Sequence, residues 1–161
     1  MVGVEMIHVL FICLGNICRS PMAEAVFRSL VEKEGLAQQI NIDSAGIGNW
    51  HAGELPHKGT RDILDQQKIT YRDMKARQVH RKDWDNFDYI IAMDEQNIKD
   101  LQDLKDKENG IIVARLMDFV DNPEEVNVPD PYFTGDFDYT YKLVSKGCLN
   151  LLNSIRETHN I

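Results

Sequence analysis

Cysteine, proline and positive charge are all scarce in this 161-residue chain, and it has no long apolar run. The three cysteines, Cys13, Cys18 and Cys148, make an odd count at spacings that form no zinc pattern. No secretory leader is recognised ahead of them, so a reducing, cytoplasmic setting is expected. The longest apolar stretch, Ile7 to Leu14, contains His8 and follows Glu5. It falls far short of the ~20 residues that span a bilayer, so no membrane partner is expected. Lys and Arg number 18 against 26 Asp and Glu, for a net charge of −8, which argues against a surface that tracks a nucleic-acid backbone. Any phosphate this protein handles has to be caught by a small local site of backbone amides and single arginines.

What is present is enough for one core. A chain of 161 residues with 43% hydrophobic side chains should bury roughly 68–70% of its unfolded surface, so it needs neither disulfides nor a structural metal to fold. We expect a single domain over 1–161. Ile7–Ile12 reads as a buried strand that runs into Gly15 and Asn16, and helical spacing of Met22, Ala25, Val26, Ser29 and Leu30 predicts a helix from Ser20-Pro21 to about Glu34, stopped by Gly35. Further strands are predicted at 40–44, 87–93 and 111–115, with helices at 58–67, 95–104 and about 139–157, the last burying Tyr141, Val144, Cys148, Leu151, Leu152 and Ile155. Asn122 to Phe137 holds three of the five prolines and reads as a long surface loop. This alternation implies an α/β fold, a four-stranded parallel twisted sheet with helices on both faces, whose ligands sit at the carboxyl ends of the strands.

The loop at the end of the first strand carries the chemistry. Cys13-Leu14-Gly15-Asn16-Ile17-Cys18-Arg19-Ser20 sets a thiol and a guanidinium at the two ends of a tight turn that feeds a helix. Gly15 and Asn16 both tolerate left-handed backbone, so the amides from Leu14 to Arg19 can turn inward as an anion-binding nest at the helix start. Such a nest cradles a tetrahedral oxyanion and favours the thiolate form of Cys13. Arg19 suits two phosphoryl oxygens better than lysine would, because its planar fork binds both at once.

This segment resembles the signature loop of the low-molecular-weight protein tyrosine phosphatases, a cysteine, five residues, an arginine and a serine. Asp43-Ser44-Ala45-Gly46, Ala76-Arg77-Gln78, Phe87-Asp88-Tyr89-Ile90 with Met93-Asp94, and Asp130-Pro131-Tyr132-Phe133 are also similar to that family, in its order. The resemblance implies a flavodoxin-like or Rossmann-like fold of the phosphatase I type and hydrolysis of phosphotyrosine and small aryl phosphates with no cofactor and no metal. It implies Cys13 as nucleophile, Arg19 as phosphate binder and Asp130 as general acid. Leu14, Gly15, Asn16, Ile17 and Cys18 would complete the phosphate cradle. Chemistry asks for that acid independently, because a phenolate whose conjugate pKa is ~10 leaves more easily when protonated. Without the resemblance, Asp130 reads as a turn aspartate before proline. Asn16, Ser20 and Ser44 would hold the loop and donate to the thiolate, although Ser20 also reads as a plain helix N-cap. Trp50, Tyr132 and Phe133 could wall a phenyl ring.

Several alternatives stand beside this reading. Arginine phosphatases of the same family carry threonine where this chain has Ile17, which favours the tyrosine branch. Arsenate reductases of similar fold need a further redox cysteine pair, and none lies between Cys18 and Cys148. A non-catalytic phosphopeptide-binding module would have lost the thiol or the acid. Cys18 is a candidate redox partner that protects Cys13 as a reversible disulfide, and Cys148 reads as core. His51, His57 and His80 read as surface or loop residues. Glu54, Asp136 and Asp138 suggest a preference for basic flanks around the phosphoresidue. Met74 stands where some family members carry a histidine, which puts the positioning of Ser44 and Asn16 in question. The expected partners are phosphotyrosine proteins, with inorganic phosphate as product or inhibitor, and the chain is expected to act as a monomer.

Overall fold

The computed structural model describes residues 5–105 and 110–161. The expectation of no leader falls partly on residues 1–4, outside that range. Four parallel strands, β1 (Ile7–Cys13), β2 (Ile40–Gly46), β3 (Tyr89–Ala92) and β4 (Ile112–Arg115), form one sheet in the order β2-β1-β3-β4. β1 is therefore central, and its two-residue periodicity serves both faces. Val9, Phe11 and Cys13 join the larger core cluster, while Leu10 and Ile12 join a second cluster with Ile90, Ala92, Trp84 and Leu101.

Helices α1 (Arg19–Lys33), α2 (Lys58–Gln66), α4 (Glu95–Gln102) and α6 (Phe137–His159) match the four predicted from spacing to within a few residues. α1 stops because Gly35 takes φ +71 while Gly35 and Leu36 donate back to the carbonyls of Glu32 and Val31. α1 and α6 pack together over one face of the sheet, and α4 lies on β3 and β4. Gly147 makes the close approach of α6 possible, since a Cβ there would lie 2.5 Å from Leu116. Among the described residues, no helix is long and apolar enough to cross a membrane.

Two short helices were not legible as periodicity: α3 (Asp83–Asn86) and α5 (Pro131–Thr134). The segment read as a long loop contains α5 and already belongs to α6 at Phe137. Both starts are capped, α5 by Asp130 with Pro131 in its first turn and α6 by Asp136 accepting from the Tyr139 amide. These caps tie the segment down in front of the carboxyl ends of the strands.

Candidate active site

β1 ends at Cys13, paired in register with Gly46 of β2, and the chain turns at once into α1. Of the two residues expected to take left-handed backbone, only Asn16 does so, at φ 58. Gly15 does not, so its role is spatial: a Cβ there would approach the His51 ring to 3.3 Å. Gly46 is the glycine the turn depends on more. A Cβ on it would lie 2.9 Å from the Gly15 carbonyl carbon and 3.0 Å from the Asn16 nitrogen, so only a bare α-carbon lets the loop settle on the end of β2.

Within the loop the Asn16 amide donates to the Cys13 sulfur at 3.3 Å, and Ser20 Oγ lies 3.0 Å from the same atom. The reading of Ser20 as an N-cap is corrected here: the capping position is Cys18, and Ser20 sits in the first turn with its hydroxyl turned back onto the loop. Asn16 is the hub. Its Nδ2 donates to Ser20 at 2.8 Å and to Ser44 at 3.0 Å, and its Oδ1 accepts from the Arg77 amide at 3.0 Å. Arg77 belongs to the Ala76-Arg77-Gln78 segment, which hydrogen-bonds to Gly46 at the end of β2.

Arg19 is almost fully buried and held on three sides. Its Nη1 donates to Asp94 at 2.6 Å and to the Val128 carbonyl at 2.9 Å, and its Nη2 donates to Asp130 at 3.3 Å. Nε is also buried and has no hydrogen-bond partner among the described residues. Burial alone would lower the guanidinium's pKa, but Cys13, Asp94 and Asp130 outweigh it and hold Arg19 above its ordinary value. Asp130 divides its oxygens, Oδ1 accepting the Tyr132 amide at the start of α5 and Oδ2 facing Arg19. The turn-aspartate reading and the convergence with Arg19 thus both describe it. Cys18 is buried too, and burial, reinforced by Cys13 and Asp130 against Arg19, pushes its thiol up to about 12. Cys148 is fully buried in the core, which pushes its thiol up.

Cys13, Leu14, Gly15, Ile17, Cys18 and Asp130 face one cavity with Trp50, His51, Tyr132 and Phe133 around it. Its volume of about 220 Å³ is below the ~300–1,000 Å³ of pockets that hold drug-sized ligands, which suits one modified side chain. Trp50, Tyr132 and Phe133 are exposed at 67%, 54% and 74%, so they stand as free walls rather than core. A Cβ at Gly48 would lie within 2 Å of the Trp50 ring, so glycine there makes room for the indole.

Sequence reasoning missed several residues here. Asp94 was noted only as part of a similar segment, yet it anchors Arg19. His51, read as an ordinary loop residue, lines the cavity and bonds Glu54 at 2.5 Å. His57 caps α2 by accepting from the Gly59 amide and stacks on Phe137 at 5.1 Å. Of the three acidic residues proposed to select basic flanks, Glu54 is engaged by His51 and Asp136 caps α6. Met74 is buried in the core, and no histidine is needed to close the Asn16–Ser44 network: the Ser44 hydroxyl donates instead to buried Glu24 at 2.6 Å.

Comparisons with known proteins show the family. The family model for low molecular weight phosphotyrosine protein phosphatase matches residues 8–160. The chain belongs to this family. The low molecular weight protein-tyrosine-phosphatase YfkJ of Bacillus subtilis is 52% identical over 152 residues, covering 94% of this chain and 97% of that protein. Its crystal structure superposes with a TM-score of 0.93 over 96% of this chain and 97% of that one. The low molecular weight protein-tyrosine-phosphatase PtpA of Staphylococcus epidermidis is 42% identical, covering 97% of this chain and 98% of its own. A Drosophila arginine phosphatase is also similar, with a TM-score of 0.86 at 32% identity over 92% of this chain and 97% of that one. The phosphatase I type of α/β fold expected from the sequence is therefore correct, and the chain is a hydrolase of the protein-tyrosine-phosphatase class.

Proposed function

We propose that this phosphatase hydrolyses phosphotyrosine in proteins, and small aryl phosphates, through a phosphocysteine intermediate on Cys13. The observation that carries the reading is that Cys13 and Asp130 line one small aromatic-walled cavity, while Arg19 bonds Asp130 and keeps a buried Nε with no partner among the described residues. A buried donor without an acceptor is costly, and a phosphoryl oxygen would satisfy it.

In the first step the Cys13 thiolate attacks phosphorus, and the bond from phosphorus to the phenolic oxygen breaks. Asp130 gives its proton to the departing oxygen, so tyrosine leaves neutral. Arg19 and the loop amides hold the equatorial oxygens as charge shifts between them. In the second step water attacks phosphorus, the ionised Asp130 takes its proton, and the phosphorus–sulfur bond breaks to return thiolate and inorganic phosphate. Ser20 and the Asn16 amide donate to sulfur both before attack and after release, which makes it a better leaving group.

Ile17 supports tyrosine over arginine as the phosphorylated residue. It is buried at the loop with a branched alkyl side chain and offers no hydroxyl to a guanidino group. The test is phosphate release from one peptide bearing phosphotyrosine, phosphoserine or phosphoarginine, in chelator, for the native protein and for Cys13→Ser. Tyrosine-selective release that is lost in the variant is expected. Binding of phosphotyrosine without release would point to a binding module, and release from phosphoarginine alone would reverse the argument from Ile17.

A further inference from the structure

Glu24 is a buried acid on α1, beyond the loop that carries Cys13. Its Oε1 accepts the Ser44 hydroxyl at 2.6 Å, and its Oε2 accepts Arg28 Nη2 at 2.5 Å. Arg28 is fixed in turn by the Ile42 carbonyl at 3.1 Å, with Nη1 3.9 Å from Met74 Sδ. A carboxylate can only accept, so these two donors are matched on opposite oxygens.

Together with the Arg77 amide, that match fixes the direction of every hydrogen bond between Glu24 and sulfur. Ser44 donates to Glu24, so its lone pairs are what Asn16 Nδ2 meets. The Arg77 amide holds Oδ1 of Asn16, so both protons of Nδ2 point to the two serines. Ser20 therefore accepts from Asn16, and its own proton is turned to the Cys13 sulfur 3.0 Å away. We propose that Glu24, balanced by Arg28, is a positioning residue that orients this chain of donors so that it ends as a hydroxyl donated to Cys13. This inference rests on the reading of Cys13 as the nucleophile.

Glu24→Gln has nearly the same shape but cannot serve both neighbours. Its amide presents a donor either to Arg28 or to Ser44, and in the second case the Ser44 proton is turned away from its present partner. A through-space effect would have the opposite sign, because removing an anion favours a thiolate. The experiment is the rate of Cys13 alkylation by iodoacetamide across a pH series, with the labelled peptide identified by mass spectrometry. For Glu24→Gln the rate at about pH 6 should fall by roughly three- to tenfold, while the alkaline plateau stays unchanged.

Glu24→Asp retains the charge beside Arg28 and withdraws the carboxylate from Ser44, so it should shift the profile the same way and serves if Glu24→Gln does not fold. In a Ser44→Ala background, Glu24→Gln should add nothing. An unchanged profile, a profile moved to lower pH, or additive effects with Ser44→Ala would each overturn the inference. If native Cys13 reacts no faster than a free thiol at about pH 6, the nucleophile reading fails as well. Fast native reaction with unchanged variants defeats the role of Glu24 alone.

Discussion

Asp94 holds Arg19 with one oxygen and starts a helix with the other. Oδ2 accepts Arg19 Nη1 at 2.6 Å, and Oδ1 accepts the Asn97 amide at 2.8 Å as the N-cap of α4, while Asn97 Oδ1 returns the contact to the Asp94 amide. One side chain just past the end of β3 thus joins Arg19 to the sheet, 75 residues on in the chain.

The two tasks can be separated. Asp94→Ser retains a capping oxygen and loses the contact with Arg19, whereas Asp94→Ala loses both. Both variants take a partner from a buried guanidinium and should lower the melting temperature, and alanine should cost about 1 kcal/mol more than serine for the lost cap. Both should lower kcat/KM on a phosphotyrosine peptide by roughly 10- to 100-fold, because a displaced guanidinium no longer meets the transition state. Activity retained in Asp94→Ser would show that Val128 and the loop hold Arg19 without Asp94.

Asp130 also contacts Arg19, so its loss could act through binding or through proton transfer. Asp130→Ala should lower kcat for phosphotyrosine by roughly 10²- to 10⁴-fold. The loss should be much smaller for an aryl phosphate whose phenol is strongly acidic, since that oxygen leaves without a proton. Equal losses on both substrates, measured at saturation, would make Asp130 an anchor for Arg19 and not the acid.

The central strand was readable as a near-continuous run of branched and aromatic residues, α6 by its apolar period, and α1 by its start at Ser20-Pro21 and stop at Gly35, although residues 19–27 are buried all round. The single-turn helices α3 and α5 have four residues each and no period to read. The candidate site was readable as a cluster because Cys13, Arg19 and Ser20 lie close together in the chain at the start of α1. Asp94 was not, because an acid before Glu95-Gln96-Asn97 explains itself as a helix cap. Glu24 and Arg28 were not, because such a pair four residues apart on a helix reads as a solvated ion pair, and only the packing of α1 on β2 reveals that Glu24 is buried.

Cys18 should act slowly as a protecting partner at neutral pH and faster as pH rises. Its thiol is pushed up to about 12, so below that value each unit rise in pH raises its thiolate fraction about tenfold. Peroxide would oxidise the Cys13 thiolate to a sulfenic acid, which the Cys18 sulfur then attacks, expelling water and closing the disulfide. Mass spectrometry after mild peroxide should find the Cys13–Cys18 bond, closing faster at about pH 8.5 than at about pH 6.5. In Cys18→Ser, Cys13 sulfinic acid should accumulate instead. Sulfinic acid in the native protein at both pH values would remove the protective role.

Gly147 tests the packing that brings α6 onto the core. In an exposed helix, alanine in place of glycine would stabilise by about 1 kcal/mol. Here the new Cβ would lie 2.5 Å from Leu116 Cγ and 3.0 and 3.1 Å from its two methyl carbons, and Leu116 is fully buried. Overpacking of this kind costs about 1–3 kcal/mol, so the two terms compete and the second should win. A fall in melting temperature of a few degrees is expected for Gly147→Ala, at about 2–4 °C per kcal/mol for a chain of this length. A rise would mean that Leu116 yields.

Ile17 tests the choice between phosphotyrosine and phosphoarginine. It is buried beside Cys18 and Ala76 with Phe137 against the group, so a residue of similar branching but one hydroxyl should fit without moving the loop. Ile17→Thr would place that hydroxyl beside the cradle, where it can accept from a guanidino nitrogen but finds no donor on a phenyl ring. A site that hydrogen-bonds its substrate discriminates far more strongly than one that only packs against it. The ratio of kcat/KM for phosphoarginine over phosphotyrosine peptides should therefore rise at least tenfold in Ile17→Thr, with most of the change in the phosphoarginine arm. A drop in both arms would mean that the alkyl packing supports the loop itself, and an unchanged ratio would place the selection in the aromatic walls formed by Trp50, Tyr132 and Phe133.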